Sequence, residues 1–198
     1  ERSLGDLDKG GLKASAIVYR AAINAMRGED PAAAAIMMRR LLDHPETMNT
    51  HTAARAADTL GLACELVGDV VAAEQAYRQA VDLAQAAGVT YLAINARCEC
   101  ALVQITRGQL ASAEEACRLA LGSTDEEALS PTGLAWSILG EIARERNDLA
   151  TAERLIPFGI EIARKGGIID DLRYALLFLV RLRQAQGNWA AARAAWAE

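Results

Sequence analysis

The residues that could perform acid–base or nucleophilic chemistry are few, and their spacing does not suit it. The acidic pairs Glu114-Glu115 and Glu126-Glu127 are adjacent in sequence, so their side chains point apart on a helix or lie in a loop. The two histidines, His44 and His51, lie in one linker, whereas a nucleophile–base pair needs a histidine near a serine or cysteine. We therefore predict that the chain is not an enzyme and that it holds no cofactor.

The four cysteines do not form a metal site. Cys98 and Cys100 are two residues apart, and such residues point to nearly opposite sides of a helix. Cys64, Cys100 and Cys117 fall where the sequence pattern places buried residues, so we expect small buried thiols in a reducing compartment. Neither histidine has a ligand-like partner nearby in sequence, and we predict no metal site.

Composition restricts the partners of the chain. Its 198 residues are 52% hydrophobic, 5% aromatic and 24% charged, with a net charge of −5. Nucleic-acid binding needs clustered Lys and Arg or a platform of aromatic rings, so we expect no direct contact with nucleic acid. No apolar run approaches the length of about 20 residues that a membrane helix needs, so we predict a cytoplasmic segment without a membrane partner. The chain does not begin with Met, and we expect it to be a fragment of a longer protein.

A short polar corner recurs about every forty residues. Each corner precedes an Ala-rich helical run, and successive corners lie 39, 40, 39 and 40 residues apart. The corners are Glu29-Asp30, Gly68-Asp69, Gly108-Gln109, Asn147-Asp148 and Gly187-Asn188. Repetition at this period is typical of stacked supersecondary units rather than of one closed core.

The pattern around the corners predicts pairs of helices and no strands of useful length. First helices are expected over residues 13–28, 50–67, 89–107, 131–146 and 170–186. Second helices are expected over residues 31–43, 70–87, 110–121, 149–165 and 189–198. We predict a disordered lead-in over residues 1–12 and a single helical-repeat domain over residues 13–198.

The fourth pair carries a recognisable signature. The run Trp136-x2-Leu139-Gly140-x11-Ala152-x3-Ile156-x2-Gly159 resembles the tetratricopeptide signature, with a longer period than usual. Together with the phrases over residues 139–154 and 179–189, it is similar to the sensor arm of MalT-type activators, which are large ATP-dependent LuxR-type transcription regulators. The resemblance implies a right-handed α-α superhelix of about five antiparallel helix pairs. It covers about residues 50–198, and neither the nucleotide-binding module nor the helix-turn-helix of such regulators is present.

In tetratricopeptide arrays the first helix of each pair lines the concave side, so the resemblance also implies a binding groove. The residues expected to face outward mix charged and polar groups with two aromatic rings, at helical spacing within each first helix. They are Arg55, Asp58, Glu65, Asn95, Glu99, Ser137, Glu141, Arg144, Tyr174, Phe178 and Arg181. An ordinary solvated face packed on neighbouring repeats is the competing interpretation.

Two classes of function remain open at this point. The first is an effector-sensing or protein-interaction arm of a LuxR-type regulator, which binds a small-molecule inducer or a regulatory protein or peptide. The second is a free-standing scaffold or peptide-binding module without a role in transcription. Trp189 and Trp196 lie in the final helix, where the next repeat would cover them, so self-association through the C-terminal end is also expected.

Overall fold

The computed structural model describes residues 4–122 and 132–197, and within them ten α-helices, one short 3-10 helix and no β-strand. The helices are α1 Leu4–Met26, α2 Pro31–Leu42, α3 Thr50–Leu66, α4 Val70–Ala86, α5 Thr90–Thr106, α6 Leu110–Leu121, α7 Thr132–Glu145, α8 Leu149–Gly166, α9 Ile169–Ala185 and α10 Trp189–Trp196, and the 3-10 helix is Pro45–Thr47. Every predicted helix is present, and all ends but one agree with the prediction to within two residues. The predicted start of the seventh helix, at residue 131, lies just outside the described residues.

The first helix begins earlier than predicted. Residues 1–12 are expected to be a disordered lead-in, but α1 begins at Leu4. In sequence, Leu7 and Leu4 lie seven and ten residues before the buried Ala14, so the helical apolar pattern resumes beyond Gly10 and Gly11. The three glycines in this segment suggest a break, yet one glycine in a helix costs only about 1 kcal/mol. The helix α1 continues across these glycines, so residues 4–12 are helical where the sequence predicted a lead-in.

Each helix pair turns at a corner with a left-handed residue, and at every corner except the one at Gln109 a capping side chain follows. The corner residues, with φ between +62° and +84°, are Gly28, Gly68, Gly108, Asn147 and Gly187. Glycine adopts this conformation without strain, and asparagine is the usual substitute. A capping residue then follows, as at Asp69, whose Oδ1 accepts from the Ala72 N–H at 3.1 Å. The first corner carries one extra residue, so the repeat starts at Gly28 rather than at the predicted Glu29.

In the second and fourth pairs, a glycine on the first helix receives a large residue from the second helix. A Cβ atom on Gly61 would lie 2.5 Å from the Tyr77 ring, and one on Gly140 would lie 2.5 Å from Cγ1 of Ile156. Tyr77 and Ile156 are both buried, and each occupies the eighth position after the N-cap of its helix. The larger side chain therefore packs directly on the glycine backbone, and this contact sets how closely the two helices approach.

The closest backbone approach lies in the fourth pair, near the other end of the two helices. A Cβ atom on Gly159 of α8 would lie 2.5 Å from the carbonyl oxygen of Gly133 and 2.8 Å from the backbone nitrogen of Ser137, both on α7. The helix α8 continues through Pro157, only two residues away, to Gly166. The absence of a side chain at Gly159 thus lets α7 and α8 meet backbone to backbone.

The chain divides into two compact units, residues 1–96 and 97–198, with the division inside α5. Ala-rich clusters form the interior of the first unit, and one of them joins Ala57, Ala80 and Ala96. In the second unit Ala192 and Ala195 pack α10 against α9. Small side chains let several helices share one core, which explains the low aromatic content. The single domain expected over residues 13–198 stays a prediction.

We expect Gly159→Ala to lower the free energy of unfolding by about 1–3 kcal/mol, because its Cβ would overlap the α7 backbone. Gly11→Ala is the matched control, because a Cβ atom at Gly11 in α1 meets nothing within 4 Å. That control should gain about 0.5–1 kcal/mol from the higher helix propensity of alanine. Urea denaturation followed by circular dichroism measures both, and equal gains in the two variants would contradict the close approach.

Candidate functional site

The polar residues of the second unit centre on the carboxylate of Glu141, which is completely buried on α7. Arg144, one turn further along, donates from Nε to Oε2 at 2.8 Å and from Nη2 to Oε1 at 2.9 Å. Arg181 on α9 donates from Nη1 to Oε1 at 2.9 Å. Two arginines from two helices therefore neutralise one buried carboxylate, and this links the first helices of successive pairs.

Glu141 and Arg181 occupy the same position of the repeat. Each lies six residues before its corner residue, Asn147 or Gly187. The equivalent residue of the second pair is Leu62. The same repeat position is therefore apolar in the second pair and charged in the fourth and fifth pairs. Opposite charges at one repeat position were a signal in the sequence, because equivalent residues of successive repeats lie side by side.

Three residues expected to face outward in the groove are buried instead. They are Glu141, Ser137 and Phe178. The Ser137 hydroxyl donates to the carbonyl oxygen of Gly133 at 2.9 Å, at the place where α7 meets α8. The outward placement of these three side chains is wrong because each helix has several neighbours. Helix α7, which carries Ser137 and Glu141, packs against α6, α8 and α9, and helix α9, which carries Phe178, packs against α7, α8 and α10.

The other candidate residues of the second unit keep some access to solvent. Arg181 is 47% exposed, whereas the side chain of Arg144 is 19% exposed. The hydrogen bonds that Arg144 donates to Glu141 raise the pKa of Arg144, so this guanidinium stays charged. Tyr174 is half-buried, and the Arg173 guanidinium lies 5.2 Å from the centroid of its ring. Glu99 is half-buried as well.

In the first unit the candidate residues gather around Asp58 on α3. Arg55 Nη1 lies 3.7 Å from Asp58 Oδ2, and Asn95 on α5 is a hydrogen-bond partner of the same side chain. The Arg55 guanidinium also lies 5.6 Å from the centroid of the Tyr19 ring on α1. Side chains from three first helices therefore meet here, and Tyr19 is a member of this group that the sequence analysis did not include.

Burial changes the titration of Asp58. Its Oδ1 atom is buried and has no hydrogen-bond partner among the described residues. Desolvation raises the pKa of Asp58 to about 6, although Arg55 and Asn95 act in the opposite direction. Glu65, the remaining candidate on α3, accepts a hydrogen bond from the Tyr77 hydroxyl at 3.2 Å, and burial raises its pKa as well.

The chemistry available to these groups is recognition of polar or charged molecules. Among the described residues, no group of three or more His, Cys, Asp and Glu side chains is placed to hold a metal ion. The four cysteines are buried thiols that form no disulfide with one another, as predicted for the burial of Cys64, Cys100 and Cys117, and burial raises the pKa of Cys98 well above its usual value. In residues 4–122 and 132–197, no helix has the length and apolar character needed to cross a membrane.

Comparison with known proteins gives a family and a fold. The sequence profile of the family described as the MalT-like TPR region matches residues 14–198. No curated protein sequence matches the chain. The crystal structure of BtubC (BKLC) from P. vanneervenii is similar at 17% identity, with a TM-score of 0.69 over 93% of this chain and 78% of that chain. A putative kinesin light chain from Podosopora anserina with nearly identical TPR-like repeats is similar at 15% identity, with a TM-score of 0.61 over 91% of this chain and 90% of that chain. At these identities the structures show the fold alone, and they confirm the predicted tetratricopeptide-like fold.

We expect Glu141→Ala to lower the free energy of unfolding by about 1–3 kcal/mol. Removing one partner of a buried ion pair costs about 3–5 kcal/mol, and the partial exposure of Arg144 and Arg181 reduces that figure here. Arg118→Ala is the control, because its side chain is 71% exposed and should contribute less than about 0.5 kcal/mol. Chemical denaturation compares the two variants, and an equal effect would show that the buried carboxylate does not stabilise the fold.

Asp58→Asn should stabilise the chain at pH 7.5 and have little effect near pH 4. The folded state binds the Asp58 proton more tightly than the unfolded state, whose pKa is near 3.8. The free energy of unfolding therefore falls as the pH rises from about 4 through about 6, and the charged carboxylate is a cost above that range. The gain at pH 7.5 is about 3 kcal/mol at most.

Denaturation at several pH values measures this difference, with Asp82→Asn on the surface of α4 as the control. Asp171 is also buried with a pKa raised to about 6, by burial and by Asp170, so some pH dependence should persist in the Asp58→Asn variant. A stability difference between Asp58→Asn and the parent chain that does not vary with pH would refute the assignment.

Proposed function

Since the chain belongs to the MalT-like TPR region family, we propose that it is the effector-sensing and protein-interaction arm of a cytoplasmic LuxR-type transcription regulator. The observation that carries this proposal is the match of that family over residues 14–198. Tetratricopeptide repeats are generally non-catalytic scaffolds for protein interaction, and an arm that binds without catalysing agrees with that general role. In this proposal the bound state of the arm biases the rest of the regulator.

The groups around Asp58 are the first candidates for effector binding. Arg55 and Asn95 offer hydrogen-bond donors, and the Tyr19 ring beside Arg55 offers an apolar face. A small-molecule inducer with hydroxyl or carboxylate groups, or a peptide of a regulatory protein, matches this combination. In the second unit, Arg181 and Tyr174 keep the solvent access that a partner needs.

A free-standing scaffold remains the second candidate function. The observation that favours it is the similarity in fold to the putative kinesin light chain, which is not described as a transcription regulator. The two candidates differ in what the complete reading frame encodes. A regulator of this class combines the arm with a phosphate-loop ATPase and a helix-turn-helix, whereas a scaffold needs neither.

Self-association through the C-terminal end stays a prediction, and the structure offers a reason for the exposed tryptophans. Trp196 is the eighth residue after the N-cap of α10, the position at which Tyr77 and Ile156 are buried in their pairs. In the second and fourth pairs, this residue packs on a glycine of the first helix, Gly61 or Gly140. The first helix of the fifth pair has Val180 at that repeat position instead. Trp196 therefore does not enter its own pair and is 75% exposed, and Trp189 is 60% exposed.

The regulator proposal is tested first on the complete gene. We expect the reading frame to encode an ATPase with a phosphate loop before this segment and a helix-turn-helix after it. In a strain that lacks the gene, the complete gene with Arg55→Ala should then give several-fold less inducible transcription of its target, because a polar contact to a ligand is worth about 1–3 kcal/mol.

Arg118→Ala is the control and should behave like the unmodified gene, while immunoblotting checks that the protein level is unchanged. A reading frame without either flanking module would reject the regulator in favour of the scaffold. Unchanged induction by the Arg55→Ala gene would remove the residues around Asp58 from the proposed site.

A further inference from the structure

The outer face of α1 carries an apolar stripe that nothing in the described chain covers. Leu12, Tyr19, Ile23 and Met26 are between 46% and 65% exposed, and the exposed Ala16 completes the stripe. Successive members are four, three, four and three residues apart, so they form one seam along the helix, about 21 Å long. A seam with this spacing is the geometry by which one helix packs against another.

The same face is buried in the later first helices. Counted from the corner residues, Ala16 corresponds to Ala56 in α3 and Ala175 in α9, and both are completely buried. Ile23 corresponds to Ala63 and Leu182, which are also completely buried. There α1 and α2 pack against α3, and α7 and α8 pack against α9. Since helices pack against α3 and α9, where the residues that correspond to Ala16 and Ile23 are buried, the occupant expected on α1 is a helix.

A row of positive charges distinguishes α1 from those helices. Lys13, Arg20 and Arg27 are exposed, seven residues apart, and follow one edge of the apolar stripe. The residues that correspond to Lys13 and Arg20 in α3 are Ala53 and Leu60, both buried and apolar. A helix pair of the ordinary type seen in this chain would have to bury two cations against an apolar surface, at high cost.

We propose that the outer face of α1 docks an amphipathic helix of a partner protein that carries acidic residues along one edge. The apolar side of that helix would cover Leu12, Tyr19 and Ile23, and its acidic edge would face the row of Lys13, Arg20 and Arg27. This is the helix-in-groove mode of recognition with flanking charges that select the partner.

The charge pattern argues against a second copy of the chain as the occupant. In an antiparallel pair of α1 helices, each basic row would meet the basic row of the other copy. In a parallel pair it would meet the opposite edge of the stripe, where Ser15 and Ala22 carry no charge. A bilayer with anionic lipids also attracts basic amphipathic helices, but a chain of net charge −5 is repelled by it as a whole.

Two synthetic helical peptides test the proposal by fluorescence anisotropy. Both carry leucine at the seam positions of three heptads; one has glutamate along the flanking edge and the other has lysine. We expect the chain to bind the glutamate peptide at least tenfold more tightly than the lysine peptide, and the difference should shrink at high salt. The triple variant Lys13→Glu, Arg20→Glu, Arg27→Glu should reverse this preference.

Ile23→Asp should weaken binding of the glutamate peptide at least tenfold. The control is Ile169→Asp, which makes the same change at an exposed isoleucine on α9 and should leave binding unchanged. Circular dichroism verifies that both variants keep their helix content. Equal binding of the two peptides, or binding that Ile23→Asp leaves intact, would overturn the proposal.

Two other occupants give distinct outcomes that also overturn it. A dimer in sedimentation that Ile23→Asp abolishes would identify a second copy as the occupant. Adsorption to phosphatidylserine vesicles that Ile23→Asp abolishes, without peptide binding, would identify a bilayer. The substitutions leave Arg55, Asp58 and Glu141 unchanged. Because the docked helix would also cover Tyr19, whose ring contacts Arg55, induction by the Arg55→Ala gene tests the sensing function separately.

Discussion

The distance between the two helices of a pair depends on a contact between a glycine and a large side chain. Tyr77 rests on the backbone at Gly61, and Ile156 rests on the backbone at Gly140. Because the contact involves backbone on one side, it leaves no space for a methyl group. Alanine clusters such as Ala57 with Ala80 and Ala96 then fill the rest of the interface. The helices consequently lie close together, and few positions on a first helix remain in contact with water.

That closeness has a direct effect on polar residues. A carboxylate on a first helix that lies near the neighbouring pair is desolvated, and its ionised form needs partners. Glu141 has two arginines and is held as an ion pair, whereas Asp58 has one distant arginine and titrates near pH 6. Both carboxylates are desolvated by close helix packing, but only Glu141 is fully paired. Asp58 Oδ1 has no hydrogen-bond partner among the described residues, so Asp58 is the better place for a ligand to supply a contact.

The helix boundaries follow from the sequence because their determinants are local. A left-handed glycine and a capping aspartate, as at Gly68 and Asp69, mark a corner without reference to the rest of the chain. The burial of Glu141, Ser137 and Phe178 depends on helices far away in sequence, and spacing along one helix does not report it. The same limit explains Tyr19, whose ring meets Arg55 only after two pairs have stacked.

The pairing of Glu141 with Arg181 gives the fourth and fifth repeats a fixed order. The two residues sit at one repeat position, so each helix pair contributes a single half of the bond. If the fourth pair were duplicated in tandem, Glu141 would face a second glutamate, and exchange of the two pairs would bring the wrong neighbours together. Arrays of this kind grow by copying whole units, and a buried opposite-charge pair makes this junction resistant to such copying. The ion pair therefore specifies which repeat follows which, and an apolar residue at the same position, such as Leu62, has no charge with which to do so.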